Sequence, residues 1–153
     1  MPLNKNIIAD KIHEEHEYLK KEMNTIREMM NCDITAAEFP KWRLEFIWLM
    51  RDFYNDLQKH FDLEEEGGFM SDVVRIAPQH ISAIDKLEME HHKIAKDLEG
   101  IIHQLKNMET LSEQKMSLIC NDVENLLALL AEHEAAEGRI IETAYLMDYG
   151  GGD

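Results

Sequence analysis

Four stretches of this chain place apolar residues at alternating steps of three and four, and each stretch sets a histidine into that series. The first runs Ile12, His16, Leu19, Met23, Ile26, Met30, and the second Phe46, Met50, Phe53, Leu57, His60, Glu64. The third gives Ile84, Leu87, His91, Ile94, Leu98, Ile101, Leu105. The fourth gives Met116, Ile119, Val123, Leu126, Leu130, His133, Glu137, Ile140, Ala144. This period is the seam of a helix that buries one face, and no segment shows the alternation of a half-buried strand. Breaks fall at Asn31–Pro40, Gly67–Pro78 and Asn107–Ser112. Thr35-Ala-Ala-Glu38 and Thr110-Leu-Ser-Glu113 read as capping boxes ahead of the second and fourth segments. Gly67-Gly68 closes the second helix, and Gly150-Gly151-Gly152 reads as a loose tail. Long helices joined by short loops pack most simply as an all-α, up-down-up-down four-helix bundle, expected here as one domain over residues 1–153.

Charge narrows the function. With 31 acidic and 16 basic residues the formal charge is −15, a field that repels nucleic-acid phosphates and anionic membrane surfaces. No apolar run approaches the roughly 20 residues of a membrane span, and the N-terminal stretch lacks the pattern of a secretory signal. The only cysteines, Cys32 and Cys120, fall on different elements and are too few for a disulfide scaffold, so a reducing cytoplasm is the expected location.

The polar groups inside the seams carry the chemistry. Any one seam histidine alone reads as an ordinary core residue. Four in register on four helices, with Glu64 and Glu137 one turn beyond His60 and His133, require partners or a metal. Residues four apart lie one turn apart on one face, so each His-x-x-x-Glu presents a nitrogen and an oxygen to a shared centre. Imidazole with carboxylate suits iron, manganese or zinc, and the seams hold no thiolate for copper(I) or iron–sulfur chemistry. Glu15-His16 and Glu90-His91, each followed three residues on by an aliphatic, make the first two segments an outline of the last two. Such a pseudo-twofold suits two metals rather than one.

These motifs together resemble the hemerythrin-like (HHE) family. The resemblance rests on Glu-His-x-x-Leu at His16, His60 and Glu64 in His-Phe-Asp-Leu-Glu-Glu-Glu, Glu-His-x-x-Ile at His91, and His133 and Glu137 in His-Glu-Ala-Ala-Glu. It covers nearly the whole chain. It implies a four-helix bundle holding two iron ions in an oxo- or hydroxo-bridged non-haem centre, with Glu64 and Glu137 bridging and His16, His60, His91 and His133 as terminal ligands. Oxygen-carrying members have a fifth histidine and an aspartate in the last motif. Here Leu87 and Ala95 flank His91 at one turn, and Glu137 replaces the aspartate. The pattern is therefore closer to the two-glutamate members that resemble iron–sulfur repair and nitric-oxide-responsive proteins.

The resemblance implies a protein that binds or senses a small ligand such as dioxygen, nitric oxide or peroxide, or one that donates iron. Fewer histidines leave more coordination positions for water, which favours oxidation over reversible dioxygen carriage. Two alternatives stand beside it, a di-iron ferroxidase and a metal-dependent signalling module. The ferroxidase pattern needs two Glu-x-x-His motifs, whereas this chain offers one, Glu88 to His91, with Glu88 off the seam. A zinc hydrolase lacks its second histidine after His133-Glu134. His13 and His80 are the candidates for a fifth ligand, each better read as exposed, while His92 and His103 fall off the seams.

Overall fold

The computed structural model describes the backbone of residues 2–31 and 33–146 and the side chains of residues 7–31 and 33–145. Cys32 and the glycine tail lie outside the described residues. Four long helices, α1 (Pro2–Met30), α2 (Phe39–Glu65), α4 (Ile81–Asn107) and α5 (Glu113–Ile141), close into a bundle in which α1 packs on α2 and α5, and α4 on α2 and α5. A short helix, α3 (Phe69–Ile76), and a 3-10 turn (Pro78–His80) join α2 to α4, and a π-helical turn (Glu142–Leu146) follows α5.

Local chemistry sets these ends. At the start of α2 the backbone N–H of Thr35 donates to the Glu38 carboxylate (3.2 Å), and the Glu38 N–H donates back to the Thr35 hydroxyl oxygen (3.2 Å). The expected capping box is therefore made. Pro40 falls in the first turn, where its missing N–H costs nothing. The second box is displaced. Ser112, in extended backbone, accepts from the Lys115 N–H and caps α5 in place of Thr110. Gly68 adopts φ +96°, a left-handed conformation that glycine tolerates best, and thereby turns α2 into α3. The break expected over Gly67–Pro78 holds a short helix that the sequence reading does not include. Eight residues are too few to display a helical repeat, yet Phe69, Met70 and Val73 are fully buried and anchor α3 across one end of the bundle.

The core falls into two apolar blocks with a polar layer between them. The larger block includes Leu19, Leu57, Ile94 and Leu130, and the smaller includes Ile12, Phe69, Leu87 and Ile140. Along α1, His16 separates Ile12 from Leu19; on α4, His91 separates Leu87 from Ile94; on α5, His133 and Glu137 separate Leu130 from Ile140. On α2, His60 and Glu64 follow Leu57 and precede Phe69. Every seam position named from the sequence is buried except Met30 and Met116 near helix ends, which are half-buried. Phe61, off the seam, is also buried and stacks on the His91 ring with centroids 3.9 Å apart.

Candidate metal centre

Six side chains meet in the polar layer. His16, His60, Glu64 and Glu137 form one group whose donor atoms lie within 4.8 Å of one another, and Glu64, His91, His133 and Glu137 form a second. Both carboxylates belong to both groups. All six residues named from sequence are thus brought together, one histidine from each long helix and the glutamates from α2 and α5. Glu64 and Glu137 are wholly buried, and His60, His91 and His133 are 1–2 % exposed. His16 is the most open, at 8 %.

Second carboxylates fix three of the four rings. His60 Nδ1–H donates to Glu15 at 2.7 Å, His91 Nδ1–H to Glu65 at 2.8 Å, and His133 Nδ1–H to Glu90 at 2.8 Å. A carboxylate can only accept, so the proton sits on Nδ1 and each Nε2 turns a lone pair inward. Each inward lone pair then faces carboxylate oxygens. His91 Nε2 lies 3.1 Å from Glu64 Oε1, His60 Nε2 3.5 Å from Glu64 and 3.7 Å from Glu137, and His133 Nε2 3.6 Å from Glu137. These are acceptors against acceptors, and no hydrogen bond satisfies the three Nε2 atoms, both oxygens of Glu64 or Oε2 of Glu137. Buried polar atoms ordinarily find partners, and a cation is the group that reconciles lone pairs converging from imidazole and carboxylate. The donor set therefore fits a pair of metal ions. His16 differs: its Nε2 lies 3.1 Å from Glu137 Oε1 in a hydrogen bond, and among the described residues no carboxylate meets its Nδ1.

Electrostatics favours neutral rings at His91 and His133, and the charged ring at His60. Burial, then the neighbouring His133, His60 and His92, push His91 down to about 2. Burial also lowers His133, against the opposing pull of Glu90. For His60 burial disfavours the charge, yet Glu137 and Glu15 outweigh it and raise the value.

The sequence reading did not find Glu15, Glu65 and Glu90. The first and last were visible in the repeated Glu-His pairs, but each serves the next helix rather than its neighbour in sequence. Replacing Glu90 by alanine should therefore weaken metal binding about 10–100-fold without removing a ligand, read by competition with a chelator of known affinity. An unchanged affinity would refute the orienting role of Glu90. Glu134 was also missed; it is 8 % exposed, with Oε1 lacking a hydrogen-bond partner.

Neither candidate for a fifth ligand joins the two groups. His13 is exposed, and His80 sits at the α3 end with its Nε2 3.1 Å from the Thr143 hydroxyl. His92 and His103 are exposed.

Residues 7–144 match the family described as Hemerythrin HHE cation binding domain. The chain belongs to that family. The match takes in α1 from residue 7 onward, the whole of α2, α4 and α5, and every residue of the two donor groups. No curated protein and no solved structure matches the chain at a significant level. Among the described residues no helix is long and apolar enough to cross a membrane.

Proposed function

We propose that this hemerythrin-family chain is a non-haem di-iron protein whose centre takes a small redox ligand, dioxygen, nitric oxide or peroxide. The observation that carries this reading is the pair of donor groups sharing Glu64 and Glu137, with inward-facing lone pairs that no proton satisfies. His16 and His60 would hold one ion, His91 and His133 the other, and the two carboxylates would lie between them. Imidazole and carboxylate without thiolate suit iron better than copper(I). When bound, paired iron supplies Lewis acidity and electrons to a ligand at its open positions.

The protein supplies the surroundings. Glu15, Glu65 and Glu90 hold three rings in the tautomer that can ligate. Phe61 packs against His91, and the apolar blocks on either side limit bulk water. Four histidines in place of five leave room at the centre for an exogenous ligand.

Metal analysis of purified protein, paired with visible spectra after anaerobic reduction and exposure to dioxygen or nitric oxide, tests the reading. About two irons per chain with near-ultraviolet absorption that changes with the ligand is the expected result, matching the two donor groups. A single zinc, or no metal after loading, would overturn it. Sustained Fe²⁺ oxidation over many turnovers would favour a ferroxidase instead.

A further inference from the structure

The pseudo-twofold of the centre is broken at one position. Glu15, His16, His60 and Glu64 on α1 and α2 correspond to Glu90, His91, His133 and Glu137 on α4 and α5. Glu65, the residue after Glu64, holds the Nδ1 of His91. Its counterpart after Glu137 is Gly138, which has no side chain to hold His16. A Cβ built on Gly138 meets nothing within 4 Å, so the place is open space rather than a close helix contact.

That space belongs to a groove of about 490 Å³ between α1 and α5, the sparsest pairing among the four long helices. His13, His16 and Lys20 line it from α1, and Glu134, Ala135 and Gly138 from α5. It reaches His16, the most exposed of the four ligand histidines. Small residues alone would make it only a gap, but Glu134 adds a second observation. The residue is buried in the groove wall at 8 % exposure, and its Oε1 is buried without a hydrogen-bond partner. A smaller cavity between α1 and α2 reaches His60, but there the ring is closed off by its bond to Glu15.

We propose that a hydrated divalent cation enters and leaves the centre through this groove, with Glu134 the first buried carboxylate it meets and His16 the ring that yields to it. The inference rests on the binuclear reading above. A carboxylate in the wall with one oxygen unpartnered draws a cation inward and offers that oxygen in exchange for water. His16, without a carboxylate on Nδ1, turns aside more easily than the three held rings. Gly138 keeps the passage wide. The two halves of the centre therefore differ in kinetics: the His16–His60 half exchanges first, and the His91–His133 half, locked by Glu65 and Glu90, follows.

The test measures anaerobic Fe²⁺ uptake and its release to a chromogenic chelator in the full chain. Gly138→Leu should plug the groove and slow uptake and release about tenfold, the scale of a raised entry barrier, while the final content stays near two per chain. Ala135→Leu, an exposed substitution on the same wall, should act in the same direction if Gly138→Leu folds poorly. Glu134→Gln should slow uptake at limiting Fe²⁺ by up to about tenfold and leave the saturated content unchanged. Gly100→Leu is the control, because Gly100 is equally open but lines a cavity containing none of the six donors. Normal metal content with parental rates in the groove variants would overturn the passage alone. Failure of the parent chain to bind two metals would overturn the binuclear reading, and the passage with it.

Discussion

Replacing Glu64 by leucine should strip the chain of metal and at the same time raise the stability of its metal-free form. Glu64 belongs to both donor groups, so its loss removes a shared oxygen from each. In the metal-free chain the same carboxylate is wholly buried, both oxygens lack hydrogen bonds, and Oε1 faces the lone pair of His91 Nε2 at 3.1 Å. Exchanging a buried carboxyl whose oxygens lack hydrogen bonds for a packed aliphatic of similar size removes a desolvation cost of about 1–3 kcal/mol. For a chain of this size each kcal/mol moves the melting temperature by roughly 2–4 °C. Opposite signs in one variant separate a metal site from a structural network. Calorimetry of the metal-free proteins and metal analysis of the loaded ones measure the two effects. A metal-free variant melting below its parent would show that Glu64 is already satisfied without a cation, and retention of two metals would remove it from the centre.

Acid should destabilise the metal-free chain well before its surface carboxylates titrate. An unfolded histidine takes its proton near pH 6.5, whereas folded His91 resists protonation until about 2, and folded His133 is lowered as well. Below pH 6.5 the unfolded chain therefore binds more protons, and stability falls as pH falls, by up to about 1.4 kcal/mol per pH unit for each such ring. His60 acts with the opposite sign. Its raised value contributes stability that is complete below pH 6.5 and is lost as pH rises through the folded value. It therefore adds no slope on the acid side. Denaturant titrations of metal-free protein between pH 7 and 5 read this directly. His91→Leu should flatten the dependence by about one proton's worth, and an unaltered slope would mean that His91 is not held neutral by the fold.

What the sequence disclosed, and what it hid, follow from the range of each interaction. The seams were legible because every turn repeats the signal, and the six polar donors stood out as departures from an otherwise apolar series. The α3 helix was not legible. Its buried Phe69, Met70 and Val73 occupy barely two turns, and only the packing against Ile12, Ile84 and Tyr145 in the same apolar block gives them meaning. Glu15 and Glu90 each precede a seam histidine by one residue and therefore point about 100° away around the helix. From sequence that reads as solvent; in the bundle it is the direction of the next helix, where His60 and His133 wait. Glu134 was hidden for the same reason, since a residue just after His133 reads as surface until α1 is laid beside it. The displacement of the α5 cap from Thr110 to Ser112 is a two-residue choice between hydroxyls that backbone geometry decides.

The cross-helix pairs also impose an order in time. His16 on α1 meets Glu137 on α5 across 121 positions, and the rings of His60, His91 and His133 take their orientation from carboxylates 45, 26 and 43 positions away. Within single helices the only local pairs among the six donors are His60 with Glu64 and His133 with Glu137. Glu15 reaches His60 only when α1 docks on α2, and both groups need Glu137 from α5. Both donor groups are therefore complete only once all four long helices have docked. Metal held by both groups would thus report that all four long helices have reached their native register.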